Sequence, residues 1–170
     1  MKLLLLLVLF ISVSCSTYRD FYSMREEDEI PTVKFKVNYD ETWQAVMQIL
    51  QKYDIAIQNQ AAGIIKTRWI DNTLELNWSD AFSRSDQVKS ARFKLIVNVG
   101  QGHEISHPIT KVSIYKRQMV EKDFLQASKP VRSNGILERT ILYRIERILT
   151  MERELKKLQA IKAKQLEESF

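Results

Sequence analysis

The sequence predicts an α+β domain in which an antiparallel sheet packs against a long C-terminal helix, with the element order β-α-β-β-β-β-α. Two observations predict this class. Hydrophobic and polar residues alternate in several segments between residues 32 and 120, which is the period of strands with one buried face. Apolar residues then recur at helical spacing from about Ile136 to Glu168. A sheet with one apolar face needs a cover, and amphipathic helices supply it.

The first strand and the first helix have the clearest patterns. In TVKFKVNY, residues 32–39, every second side chain is apolar. Asp40 can cap a helix that follows at once, and Glu41 in its first turn suits the helix dipole. That helix has one apolar stripe at the spacing i, i+3, i+4 and i+7, formed by Trp43, Val46, Met47 and Leu50.

Four more strands follow the first helix. They are DIAIQNQ (54–60), IIKTRWI (64–70), ARFKLIVNV (91–99) and TKVSIYKRQMV (110–120). The pattern predicts the following inward side chains: Ile65, Thr67, Trp69, Phe93, Leu95, Val97, Val99, Val112 and Ile114. Ala61-Ala62-Gly63 supplies the first turn between strands, and Ser133-Asn134-Gly135 opens the long helix.

The N-terminus has the pattern of an export signal. Lys2 precedes the uncharged apolar run Leu3–Val13, about half the length of the roughly 20 residues that span a bilayer. Cys15 is the only cysteine, and its place behind Ser14 resembles the lipobox of bacterial lipoproteins, although Ser12 stands where that family usually has Leu. The resemblance implies cleavage after residue 14 and lipidation of Cys15. The alternative is an ordinary signal peptide that carries a cysteine near its end.

Three segments follow from this pattern: a signal peptide (1–14), a lipidated cysteine and tether (15–31), and a periplasmic domain with an extended C-terminal helix (32–170). Ser16 after the cysteine, in place of Asp, implies sorting to the outer membrane by resemblance to Gram-negative lipoproteins. The formal net charge of +5 is modest, and charge alone does not assign the protein to nucleic acid.

The segment GHEISHP, residues 102–108, matches the zinc-protease pattern H-E-x-x-H. That pattern binds zinc on a helix, where residues i and i+4 share one face. Here Gly102 precedes the match, Pro108 follows it, and alternating strands flank both, so a hairpin connection is predicted. Extended backbone would hold the two histidines about 13 Å apart. We therefore expect no metal site at this segment.

The sequence offers no other candidate for catalysis. No Ser-His-Asp arrangement is indicated, Cys15 would be acylated, and none of the 4 glycines belongs to a phosphate-loop pattern. We expect neither an enzyme nor a cofactor.

Basic residues cluster on the predicted outer face of the sheet. If the strands alternate as predicted, acids are nearly absent from that face. The residues are Lys34, Lys36, Lys66, Arg68, Arg92, Lys94, Lys111 and Arg117. They predict a docking surface for acidic protein segments or anionic lipid headgroups; the alternative is that solvent-facing strand positions simply favour long charged side chains.

Two further segments are candidates for contacts. Residues 73–90 are long for a connection between strands; Leu74, Leu76 and Trp78 alternate and can extend the preceding strand, and Trp78 and Phe82 are candidate partner anchors. After Met151 the C-terminal helix becomes rich in charge with a thin apolar stripe. This overhang can meet a partner helix or remain in solvent.

The residues from about Thr32 to Leu155 resemble the helix-grip domain of BamC/NlpB-type lipoproteins. The resemblance is carried by YDETWQAVMQIL, AAGIIKTRWI and ARFKLIVNV. It implies a helix-grip fold and an accessory role in outer-membrane β-barrel assembly, although this chain has room for one such domain where known members carry two.

The resulting hypothesis is a non-catalytic scaffold or accessory factor on the periplasmic face of the outer membrane, anchored by lipid on Cys15. Its partners would be envelope proteins, including β-barrel assembly components, and not nucleic acid. The alternative is a carrier of lipids or small hydrophobic ligands with a cavity between the sheet and the long helix. Large side chains predicted to face inward, such as Phe35, Trp43 and Trp69, favour a filled interior.

Overall fold

The computed structural model describes residues 30–79, 88–104, 107–122 and 127–168. Nearly all of them belong to one unit, Pro31–Phe170. The predicted signal peptide, Cys15, most of the tether and Phe82 lie outside the described residues. The strands are β1 (Thr32–Phe35), β2 (Ile55–Asn59), β3 (Ile64–Thr67), β4 (Ile70–Asp71), β5 (Ser90–Glu104), β6 (His107–Glu121) and β7 (Lys129–Val131). The helices are α1 (Tyr39–Leu50), α2 (Thr73–Ser79) and α3 (Ile136–Glu167).

These strands form one seven-stranded sheet whose main path runs β1-β6-β5-β3-β2. The short strand β4 pairs with β5, and β7 pairs with β6. All pairings are antiparallel. The long hairpin of β5 and β6 forms the centre of the sheet, with α1 and α3 on one face. This arrangement confirms the predicted α+β class, to which the structure adds the short elements β4, β7 and α2.

The core lies between the inner face of the sheet and the helices α1 and α3. Cross-strand partners on the inner face, such as Val97 with Ile114 and Val99 with Val112, are buried. The helices contribute Trp43 and Ile145, each at most 1% exposed. The predicted apolar stripe of α1 is therefore confirmed, as are the inward positions of the central strands.

The start of α1 corrects one prediction. The first strand ends at Phe35, and the helix begins at Tyr39 with Asn38 as its N-cap. Asn38 Oδ1 accepts a 2.8 Å hydrogen bond from the Glu41 N–H. Asp40, the predicted cap, lies one residue inside the helix, where its charge still suits the helix dipole.

The segment IIKTRWI forms two strands where one was predicted. Thr67 Oγ1 accepts from the Leu95 N–H at 3.0 Å and donates to the Arg68 carbonyl, and β3 ends there. The register then shifts by one residue, since Ile65 pairs with Val97 but Ile70 pairs with Phe93. A shift of one residue exchanges the two faces of a strand. Trp69 therefore lies on the outer face and is 39% exposed, which corrects its predicted inward position.

The start of the long connection is helical, so the prediction that Leu74, Leu76 and Trp78 extend a strand is wrong. Thr73–Ser79 forms α2. Asn77 holds the far end of this connection in place, because its side chain donates to the Val88 carbonyl and accepts from the Val88 N–H, each at 2.9 Å.

The long helix α3 begins and ends close to the predicted limits. Gly135 before it has a φ of +71°, and Ile136 N–H donates to Asn134 Oδ1 at 3.1 Å. Its last buried residue is Leu149, and the turns that follow are almost entirely exposed. Within the described residues, no helix is long and apolar enough to cross a membrane.

Candidate docking surface

The outer face of the sheet carries a surface that the helices leave open. Alternation places Lys34 of β1, Lys66 of β3, Arg92 and Lys94 of β5, and Lys111 and Arg117 of β6 on this face. All six are exposed or half-buried. Together with the side chain of Trp69, they form what we call the basic face.

Register brings like charges directly opposite each other on this face. Lys34 pairs with Lys111 across β1 and β6, and Lys94 pairs with Arg117 across β5 and β6. Like charges at such positions destabilise a sheet. No ion pair to a carboxylate compensates these four side chains within the described part of the chain. The two pairs therefore leave a concentration of positive charge on this face.

Trp69 stands between two of the cations. Its ring centroid is 5.1 Å from the Arg92 guanidinium carbon and 5.0 Å from Lys94 Nζ. Each contact is a cation–π interaction, which at an exposed site contributes about 0.5–1 kcal/mol. These contacts hold the indole on the surface with its cations, where both apolar and charged groups of a partner can reach it.

An apolar row crosses the sheet beside these cations. In register, Ile57, Lys66, Ile96 and Tyr115 follow one another across β2, β3, β5 and β6. Ile57 and Tyr115 are 49% and 44% exposed. An apolar strip interrupted by a single lysine and flanked by cations is suited to a partner with both apolar and acidic side chains.

Few acids reach the basic face. Asp71 lies opposite Arg92, while Glu104 and Glu121 lie at the ends of β5 and β6. Asp71 Oδ1 accepts from the Thr73 N–H at 2.8 Å and from Thr73 Oγ1 at 2.7 Å. These hydrogen bonds lower the pKa of Asp71 below its ordinary value, with the side-chain bond contributing most. Asp71 therefore remains charged at the margin of the surface.

Three predicted contact residues lie apart from the basic face or have no described side chain. Arg68 follows the end of β3, and its Nε is 3.2 Å from Asp54 Oδ2. Lys36 follows β1 and lines a groove of about 520 Å³ beside α3, whose other lining residues include Glu41, Glu152 and Lys156. Trp78 belongs to α2, but its side chain lies outside the described part.

That groove differs from the cavity of a hydrophobic carrier. Charged residues of α1 and α3 form part of its lining, and Lys156 Nζ is 2.6 Å from Glu41 Oε1 across it. Between the sheet and the helices, side chains such as Trp43, Leu95 and Ile145 form a continuous buried cluster. The interior that the carrier hypothesis requires is filled at these positions.

The H-E-x-x-H segment lies at the end of the central hairpin, as predicted. Glu104 pairs with His107, and His103 pairs with Pro108. Partners in a ladder share a face and neighbours alternate, so His103 and His107 lie on opposite faces. Among the described residues, no group of three or more His, Cys, Asp or Glu side chains is arranged to hold a metal ion.

Sequence reasoning missed Trp69 because the alternation of IIKTRWI continues through it. The sequence feature that could have indicated the break in the strand is Thr67, a short polar residue at an inward position. Its hydroxyl can replace a backbone hydrogen-bond partner and end a strand.

Comparison with known proteins agrees with this fold. The chain's residues 24–146, more than two thirds of its length, match the family model described as the outer membrane protein assembly factor BamC-like N-terminal domain. The match begins before β1 and ends within α3, so the last turns of that helix lie beyond it. A search of the curated proteins finds no match. The chain belongs to the BamC-like N-terminal domain family of outer membrane protein assembly factors.

Proposed function

We propose that the protein is a non-catalytic outer-membrane lipoprotein that acts as a scaffold or accessory factor in the assembly of envelope proteins, β-barrel proteins in particular. Family membership associates the chain with outer-membrane protein assembly. Lipidation of Cys15, cleavage after residue 14 and a tether over 15–31 would hold the domain on the periplasmic face of that membrane. Confinement to a surface raises the effective concentration of a domain for partners on the same membrane.

The basic face is the observation that carries the docking role. It combines uncompensated cations with an exposed tryptophan and an apolar row, and tryptophan and arginine are the residue types that most often anchor protein interfaces. The partner chemistry that suits it is an acidic protein segment with interspersed apolar side chains.

Co-purification from native membranes tests this role. The full-length protein is extracted in mild detergent and the retained proteins are identified by mass spectrometry. We expect the wild type to retain barrel-assembly proteins. This retention should be lost in a variant that changes four cations of the basic face to Glu, namely Lys66, Arg92, Lys94 and Arg117. A matched variant with Arg144, Arg147, Lys162 and Lys164 changed to Glu makes the same change in charge on exposed positions of α3. If both variants retain barrel-assembly proteins as well as the wild type does, the basic face is only a solvated surface.

The anchor has its own test. Cys15→Ala should leave the protein unprocessed or released into the soluble fraction, because the lipid attachment point is lost. Fractionation and mass spectrometry of the N-terminus measure both outcomes. Unchanged processing and membrane attachment of the variant would contradict the lipoprotein proposal.

A further inference from the structure

The two edges of the sheet differ in how well their sequences prevent another strand from pairing with them. One edge is formed by β1 and β7, which both pair with β6. It carries Lys34, Lys129 and Pro130, the residue types that keep other chains from pairing with an edge. The other edge is formed by β2, Ile55–Asn59, and by the two-residue strand β4, which pairs only with β5. The sequence of β2, IAIQN, has no charge and no proline. The β2 strand therefore lacks the charges and prolines that protect the opposite edge.

Hydrogen bonds show which backbone groups of β2 face outward. Val99 N–H donates to the Gly63 carbonyl at 2.7 Å, and Arg68 N–H donates to the Asp54 carbonyl at 2.8 Å. The Gly63 carbonyl and the Ile64 N–H belong to the same peptide group and point in opposite directions. Because the carbonyl points to β5, the N–H of Ile64 points to β2, and by alternation the backbone groups of Lys66 also point to β2. Ile57 and Asn59 are their partners in β2 and face β3 in turn.

Gln58, between these two residues, must then direct its N–H and its C=O to the open side of β2. No described group bonds to them. Ala56, Ile57, Gln58 and Asn59 are all exposed. A bulge between Ile55 and Ile57 shortens the regular ladder, so the open edge is centred on Gln58.

We propose that β2 is a strand-addition site, at which an extended acidic segment of a partner protein pairs with the backbone of Gln58 and continues the sheet. An added strand would place its side chains next to Ile57, at the end of the apolar row that leads to Lys66 and the basic face. Acidic side chains in the segment would suit the charge of that face, whose nearest cation is Lys66 on β3. This inference deepens the proposed docking role and rests on it for the partner being an envelope protein.

A second copy of this chain is the less favourable occupant. Two copies paired at β2 would place their basic faces side by side, and Lys66, on the neighbouring strand β3, has no ion pair among the described residues. The shared edge would also be short, because the strand has only five residues. Charge and length together therefore favour a separate acidic segment.

The test uses the full-length protein in detergent and a labelled synthetic peptide of ten residues in which valine and glutamate alternate. We expect binding, measured by fluorescence anisotropy, together with slower amide exchange of residues 55–60. Gln58→Pro removes the outward N–H and should weaken binding about tenfold, while Gln58→Thr, which keeps it, should change binding less than about twofold. A peptide with lysine in place of glutamate should bind at least about tenfold more weakly.

A peptide-side control separates lost binding from misfolding of the proline variant. The same peptide with an N-methyl group on every amide has no N–H to donate and cannot join a sheet, and it should not bind the wild type. Equal binding of the methylated peptide, equal binding by Gln58→Pro, or no binding at all would overturn the proposal. The proposal would also be overturned if the amides of residues 55–60 became more protected from exchange as the protein concentration rises in the absence of peptide. That outcome would identify a second copy of the chain as the occupant of β2.

The same variants separate this proposal from the broader one. Retention of barrel-assembly proteins that survives Gln58→Pro but is lost on reversal of the basic face would reject strand addition and support the scaffold role. Peptide binding at β2 without any retained envelope protein would support strand addition and reject the scaffold role.

Discussion

Gly63 offers a sharp test of how the sheet is assembled, because its backbone and its surroundings both exclude a side chain. Its φ is +65°, a region that costs an L-residue roughly 1–2 kcal/mol. A Cβ at this position would lie 2.0 Å from the Val99 carbonyl oxygen. That oxygen belongs to β5, which is paired on both sides, so it cannot move aside without disturbing the ladder. With the displacement added, we expect Gly63→Ala to lower the free energy of unfolding by about 3–4 kcal/mol.

Urea denaturation followed by circular dichroism measures this loss. For a denaturant slope of about 1.5 kcal/mol per molar, the midpoint should fall by about 2–2.7 M. Gly100→Ala is the matched control, because the nearest heavy atom to a Cβ there is 4.0 Å away and its φ is not positive. We expect the control to shift unfolding by less than about 0.5 kcal/mol. Equal midpoints for the two variants would refute the reasoning, since one position is closed and the other is open.

Three more predictions follow from particular contacts. Asn38→Ala should lower the free energy of unfolding by about 1 kcal/mol, because the N-cap of α1 is lost. Asp40→Ala should lower it by less than half as much. Thermal melts that show the reverse order would identify Asp40 as the cap. Removal of the residues after Met151 should change the melting temperature little, because these turns are almost entirely exposed and their ion pairs are on the surface; a large drop would show that they stabilise the domain. The carboxyl of Asp71 should titrate below 3.8 by NMR and move toward that value in Thr73→Ala. Because its folded pKa is depressed, any stability it contributes is present above pH 3.8 and is lost as the pH falls through the folded value, so an unchanged titration in the variant would contradict the assignment.

The location of the candidate surface has a plain physical basis. Both amphipathic helices pack on the inner face, where α1 and α3 bury large side chains such as Trp43 and Ile145. The outer face has no such cover among the described elements, so residues that leave the core have to face solvent or a partner. An antiparallel sheet with one open face and one open edge offers a partner both side chains and backbone groups.

Much of the fold could be predicted from the sequence because its determinants are local. The alternation that places Val97 and Val99 inward, and the spacing of the α1 stripe, depend only on the periods of strands and helices. The hairpin predicted at GHEISHP was confirmed for the same reason, since Gly102 and Pro108 flank it within one short stretch, although its described residues belong to β5 and β6 and not to a loop.

The tertiary structure decided those features that depend on strand register. Register is set by pairing between residues far apart in sequence, so no local pattern contains it. A shift of one residue between Ile65 and Ile70 moved Trp69 from the expected core to the basic face. Register also set Lys94 opposite Arg117, two residues far apart in sequence whose repulsion is a property of the assembled sheet. The sequence by itself determined which elements form and which side of each is apolar. Only the assembled sheet decided which charges meet, where the tryptophan lies and which strand is left with an open edge.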